Sequence, residues 1–314
     1  MNRLSLPGTA VALLAVVVTA AGCGSSGSRV TDLIAVGSVP RGVSVGEGSV
    51  WVVNASEDSM SKIDPKSKKV VAGSIATGEG PAFVAAGGGS VWVATQTINL
   101  LVRINPTTNK VVGRPTRIGY PGGVAVGYGA VWVTNQSEIA RNLPTSVSRV
   151  NPQTGKVEVN IPISGNAQDV AVGAGGVWVT DNVNGTLVHI DPKTNKIVGQ
   201  PLFVGAQANG VAVGEGAVWV TSQGDSTIIK VDPTSGKIVG KPLKVGVEPR
   251  YIAAGEGSVW AVSTVEEKVW QIDPKSNKIK STIPVKGQPF GVAVGAGAVW
   301  VTSQEEDALY RIKP

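Results

Sequence analysis

Gly214-Glu215-Gly216-Ala217-Val218-Trp219-Val220-Thr221 is the stretch on which the fold turns. Its core, G-x-G-[ASG]-V-W-[VA], recurs seven times, with the tryptophan at Trp51, Trp92, Trp132, Trp178, Trp219, Trp260 and Trp300. The intervals are 41, 40, 46, 41, 41 and 40 residues, a period that belongs to chains built by copying one supersecondary unit. A residue present in every copy serves the scaffold, so function is sought where the copies differ.

Outward from Trp219 the copy resolves into four strand-length pieces. They are a (Gly210 to Gly214), b (Gly216 to Thr221), c (Ser226 to Val231) and d (Lys237 to Val245). Each alternates or runs apolar over strand length, and none is long enough for a helix. The a-to-b link is Gly-x-Gly in every copy, which supplies the positive φ of a tight hairpin. The c-to-d link is typically Asp/Asn-Pro-x-Ser/Thr-x-Lys, as in Asp191 to Lys196. There the acid or amide caps the turn, proline presets φ, and Asn195, Gly155 or Lys68 takes the left-handed position.

Four-stranded antiparallel units at this period predict an all-β, seven-bladed propeller. The last copy stops after its c strand, while Val30 to Gly37 reads like a d strand. The N-terminal strand is therefore expected to complete the last blade and close the ring, leaving no open edge between blades.

The chain has 314 residues, 41 glycines, one cysteine and a net charge of +6. It opens with Met1-Asn2-Arg3 and an apolar run ending Ala20-Ala21-Gly22-Cys23, the layout of an export signal. Ala-Ala-Gly-Cys resembles the bacterial lipoprotein box, with Ala20 departing from the branched residue usual at that position. Residues 1–22 are expected to be a lipoprotein signal, 23–29 a Gly/Ser tether and 30–314 the propeller. Cys23 would carry the lipid, making membrane lipid a partner and the protein extracytoplasmic. As the single cysteine it excludes an intramolecular disulfide. An exported basic chain meets membranes, wall polymers and small molecules rather than nucleic acid.

Val131-Trp132-Val133-Thr134-Asn135, with Val-Trp-Val-Thr-Ser and Val-Trp-Val-Thr-Asp elsewhere, resembles the YVTN-type propellers and the related virginiamycin B lyase (streptogramin lyase) family. The resemblance covers residues 30 to 314. It implies a propeller and, for the lyases, a channel site with a metal-binding histidine, a histidine base and an acidic residue. This chain has one histidine, His189, on a c strand aligned with Lys230 and Gln271. No catalytic residue, metal ligand or cofactor is therefore assigned, and the reading leans away from an enzyme.

Antiparallel order puts the a-to-b and c-to-d turns on one face of the ring and the b-to-c and d-to-a loops on the other. The first face collects Lys66, Lys68, Lys69, Lys193, Lys196, Lys275 and Lys278, and is the expected membrane side. The opposite face holds Glu57, Asp58, Glu266, Glu267, Glu305, Glu306 and Asp307, an acidic arc read either as a cation or basic-partner site or as a solvated rim. Its d-to-a loops vary most just after the proline position. There Arg41, Phe83, Gln168, Asp169, Asn209, Arg250, Tyr251 and Phe290, with Tyr120 beside them, are the candidate ligand-binding residues of a channel mouth. Trp270 lies outside the tryptophan pattern and is a further candidate. In the third copy, Asn135 to Pro144 lengthens the b-to-c loop.

The expected function is binding of a small molecule, glycan or envelope protein through the channel mouth and outward loops of a monomer. A divergent lyase-like or hydrolytic enzyme at the same mouth, and an envelope scaffold, are the alternatives.

Overall fold

A computed structural model describes residues 30–136 and 145–314. The signal, the tether with Cys23 and loop residues 137–144 lie outside the described residues.

The seven innermost strands are Pro40–Gly46, Pro81–Gly87, Tyr120–Gly127, Ala167–Gly173, Ala208–Gly214, Pro249–Gly255 and Pro289–Gly295. Each is the a strand of one antiparallel sheet running a, b, c, d outward, and neighbouring a strands pack side by side around the ring. Blade 7 is completed by Val30–Ala35, which pairs antiparallel with Ala308–Ile312. The propeller and its closure are as the sequence predicts.

Each residue of the cassette has its own structural task. In blade 5, Gly214 pairs with Ala217, so the loop is the two residues Glu215-Gly216, both at positive φ (51° and 78°). That is the type I′ hairpin, whose twist matches the flanking strands. The first glycine, Gly214, has a different task. A Cβ there would fall 2.9 Å from the Ala254 Cβ of the next blade, and its carbonyl accepts the Trp219 indole N–H at 3.2 Å. The strand then continues into Val218-Trp219-Val220, buried on both faces.

The seven b-strand tryptophans are all buried, and the core divides into seven clusters, one at each seam between blades. Trp51, for example, packs against Val84, Val91, Val93 and Ile104 of the following blade. At about 25 cal/mol per Å² and roughly 200 Å² of surface, each indole contributes about 5 kcal/mol as an upper bound. Trp270 joins the blade 5–6 seam with 3% exposure, so it is core rather than a ligand platform. Its strand partner Ala261 is small, which leaves room for a second indole on the same seam.

A cation from the c strand lies over most of these indoles. Lys62, Arg103, Arg149, Lys230 and Arg311 lie 5.1 to 5.7 Å from the ring centroids of Trp51, Trp92, Trp132, Trp219 and Trp300. Four of them reach across the seam to a turn carbonyl of the next blade: Lys62 to Pro106, Arg103 to Gln153, Arg149 to Pro192 and Lys230 to Pro274, at 2.7 to 3.1 Å.

Candidate functional site: the channel mouth

Every a strand carries a bulge at the same place. In blade 1 Pro40 pairs with Asn54 and Val43 with Val52, so three steps on one strand face two on the other. The same shift follows Pro81, Pro121, Ala167, Ala208, Pro249 and Pro289. A bulge unpairs one residue and re-aims its side chain, and here it does so seven times around one opening.

Threonines of the b strands hold the bulges in blades 4, 5 and 7. Thr180 Oγ1 accepts the Asp169 N–H and donates to the Asn209 carbonyl of the next blade. Thr221 spans Gly210 and Arg250 in the same way, and Thr302 spans Gly291 and Arg41. The threonine of Val-Trp-Val-Thr, which served in the sequence as a family marker, thus fixes the backbone of the mouth.

The re-aimed residues enclose a cavity of ~170 Å³ walled by Phe83, Asp169, Tyr251 and Phe290 together with Gly42, Gly123 and Gly291. The glycines make the space: a Cβ on Gly123 would fall 2.6 Å from Asp169 Oδ1. The aromatic rings form one wall, with Tyr251 4.8 Å from Phe290 and 6.3 Å from Phe83, both tilted. Two guanidinium groups lie against it. Arg250 is 5.3 Å and Arg41 5.9 Å from the Phe290 centroid, and Arg250 is 6.0 Å from that of Tyr251. The Nε of each arginine is buried without a hydrogen-bond partner. Among the described residues neither forms a salt bridge.

Asp169 does not neutralise them. Its carboxylate accepts the N–H of Val170 at 2.8 Å and of Val211 at 3.1 Å. The side chain faces the open channel yet has protein on all sides, and that burial raises its pKa to about 7 against the pull of the two N–H groups. The same burial pushes the Tyr251 hydroxyl well above its ordinary value, with Arg250 and Arg41 opposing the change.

The structure thus brings together Arg41, Phe83, Asp169, Arg250, Tyr251 and Phe290 of the candidate residues. It sends three elsewhere. Gln168 Oε1 accepts from Gln136 and Asn182, and Asn209 donates to Gln223, so both side chains turn to the b-to-c loops. They occupy the same bulge position as Arg41, Arg250 and Phe290, and it is their amide partners on the b-to-c side that draw them away from the mouth. Tyr120 precedes the proline, opposite Gln136, and is not a wall of the cavity.

The acidic arc is occupied in holding loops. Asp307 accepts from Ser38 and the Val39 N–H, Glu57 from the Ser38 N–H, Asp58 from the Gly80 N–H and Glu267 from the Gly287 N–H. On the opposite face all seven candidate lysines are exposed, but Lys68 is committed to Asp32 of the closing strand at 3.0 Å. It spans the blade 7–1 seam at a left-handed φ of 60°.

No family profile and no curated protein matches this chain. Solved structures do match. In backbone shape the chain is similar to virginiamycin B lyase. The enzyme from Staphylococcus aureus superposes with a TM-score of 0.74 at 17% identity, over 90% of this chain and 98% of that one. A catalytically inactive histidine-to-alanine variant of virginiamycin B lyase with quinupristin gives 0.75 at 19% identity, over 90% and 99%. Kuenenia stuttgartiensis hydrazine synthase gives 0.78 at 12% identity, over 93% and 99%. At these identities the likeness is one of fold.

The lyase resemblance implies a histidine-bound metal at the channel, and the mouth does not fit one. Two guanidinium groups face it, no imidazole does, and Asp169 is the acid there. Among the described residues no group of three or more histidine, cysteine, aspartate or glutamate side chains is placed to hold a metal ion. His189 is at the other end of its blade, stacked on Trp178 at 4.1 Å. Burial lowers its pKa.

Proposed function

We propose that this protein is a lipid-anchored, extracytoplasmic propeller that binds a small anionic ligand with a flat apolar part at its channel mouth, without catalysis. The observation that carries the reading is the pair of arginines against one aromatic wall, each with its Nε buried and unpartnered and neither in a salt bridge among the described residues. Two like charges beside the same ring repel in a site with little solvent, and a carboxylate or phosphate between them removes that cost while satisfying their N–H groups. Tyr251, Phe290 and Phe83 supply the surface on which a planar group packs. Protonated Asp169 leaves the cavity positively charged below about pH 7 and able to donate a hydrogen bond.

Absence of catalysis is supported by the chemistry of the mouth. A similar lyase is inactive without one of its histidines, and the histidine of this chain lies away from the mouth. The second reading, a divergent enzyme, rests on Asp169 alone: an acid with a pKa of about 7 is suited to moving protons. Anchoring rests on the signal layout ending at Cys23 and its Gly/Ser tether.

Isothermal calorimetry with phenyl phosphate, benzoate and inorganic phosphate tests the ligand class. Phenyl phosphate is expected to bind most tightly, and Arg41→Gln with Arg250→Gln to weaken it by at least about 10-fold, the equivalent of one lost charge-assisted hydrogen bond. Equal binding by the double variant, or none by any anion, overturns the reading. Turnover of phenyl phosphate lost in Asp169→Asn would establish the enzyme instead. Palmitate labelling that persists in Cys23→Ser would remove the anchor.

A further inference from the structure

Four of the seven seams share one device, and the blade 4–5 seam leaves its place open. In those four a c-strand cation lies over the tryptophan and donates to a turn carbonyl of the next blade. In blade 4 the corresponding residue is His189, and the corresponding acceptor is the Pro233 carbonyl. The imidazole is too short to cross and lies flat on Trp178 instead, 7° from parallel.

It lies flat because residue 176 is glycine. A Cβ on Gly176 would strike the imidazole, whereas the other blades place Ser49, Ser90, Ala130, Ala217, Ser258 or Ala298 there. His189 Nε2 is consequently buried without a partner. Among the described residues no side chain reaches the Pro233 carbonyl.

What the missing cation leaves is a cleft of ~330 Å³ between blades 4 and 5. Trp178, Leu187, Leu202 and Val231 give it apolar walls, and His189 and the Pro233 turn give it a polar end. In blade 6, where Gln271 replaces the cation, the side chain is used internally. It donates to Ser258 and accepts from Ser281.

We propose that the blade 4–5 cleft is a second binding site, for a primary ammonium group on a short unbranched alkyl stem. The chain itself defines the ligand: Lys62 and Lys230 put that group against an equivalent carbonyl at 2.7 Å in the blade 1–2 and blade 5–6 seams. The stem packs on the apolar walls while the ammonium donates to Pro233 and cancels the open carbonyl. Neutral His189 at the entrance does not repel it, since burial already disfavours the imidazolium. The ligand is either a free alkylamine or the lysine side chain of another protein. The site is on the face opposite the channel mouth and is independent of the anion reading.

Because the chain has one histidine, its imidazole gives a single NMR signal set that reports on this cleft alone. Titration of the full-length protein with n-pentylammonium chloride should shift those signals saturably in the millimolar range. 1-Pentanol, of the same length but neutral, should bind at least 5-fold more weakly. His189→Lys supplies the missing cation from within. It should raise Tm by about 2 °C and abolish saturation transfer to n-pentylammonium, while His189→Gln, which leaves the cleft open, should retain it. Nα-acetyl-lysine methylamide separates the sources: binding as tight as pentylammonium points to a protein lysine, and exclusion to a free amine. Equal binding of pentanol and pentylammonium, amine binding that survives His189→Lys, or no saturable shift overturns the proposal.

Discussion

The two ends of each blade are built from the same four strands but by opposite rules. At the hairpin end every copy repeats a glycine against the neighbouring blade and a type I′ loop, and in all but the second, where the Trp92 indole N–H has no partner, the indole donates back to that glycine. At the mouth end the backbone is equally uniform, with a bulge in each blade, yet the side chains it presents run from glycine to arginine, phenylalanine, tyrosine and aspartate. Shape is held constant at one end and only backbone is held constant at the other. A repeated backbone device delivers non-repeated side chains to one point, so chemistry varies without disturbing the ring.

Substitutions that weigh one end against the other sharpen this contrast. The largest effect belongs to the hairpin end. Trp219→Ala empties a seam and should lower stability by about 3–5 kcal/mol in denaturant titrations. Phe83→Ala at the half-buried mouth should cost clearly less than that, and a Trp219→Ala loss below about 1 kcal/mol would mean that β-pairing alone carries the ring.

Asp169 comes second, with the sign set by its raised pKa. The folded protein holds the Asp169 proton more tightly than the unfolded chain does. Its contribution is fully present below about pH 4 and is lost as pH rises through about 7. Relative to Asp169→Asn, whatever that variant's absolute stability, the native protein should lose on the order of 2 kcal/mol between those limits, allowing for screening from the open channel. Anion affinity should fall as pH rises through about 7, where Asp169 ionises in the folded protein. A parallel pH profile for the two proteins would remove Asp169 from both accounts.

Smaller is the seam bond. Lys62→Met keeps the stem over Trp51 but abandons the Pro106 carbonyl and should cost about 1–2 kcal/mol by thermal denaturation. Smallest is Glu215→Gln, which retains an acceptor for the Gly257 N–H on an exposed loop. A change within about 0.5 kcal/mol is expected, and a larger one would show that the hairpin loops do more than turn the chain.

Much of this was legible in the sequence because it was written seven times. Gly-x-Gly, Val-Trp-Val and Asp-Pro each state a local rule, and repetition removed the ambiguity a single copy would carry. The closing strand was legible because Val30 to Gly37 matched a piece missing from the last copy. The bulges were not. Adding one residue to a strand leaves its composition unchanged, and only the register of Pro40 and Val43 against their partners reveals it. Gln168 and Asn209 were grouped with Asp169 because the amide partners that draw them off, Gln136, Asn182 and Gln223, are not beside them in the sequence. Trp270 misled in another way: a tryptophan outside the pattern looked exceptional, but Ala261 beside it had conceded the volume. The acids of the outer loops looked like a charge cluster because sequence lists carboxylates without the backbone N–H groups they serve.

Closure of blade 7 also sets a timetable. Thr31 and Arg311 bond across 280 residues, so the ring's first strand finds its partner only after the last has been made. Until then Val30–Ala35 is unpaired and the outer edge of Ala308–Ile312 is open. A chain delivered N-terminus first must therefore keep its opening strand in reserve throughout synthesis, and the contact that closes the ring is of the long-range kind that carries a large loop-closure cost. Truncation by a handful of C-terminal residues removes the latch rather than a fraction of the fold.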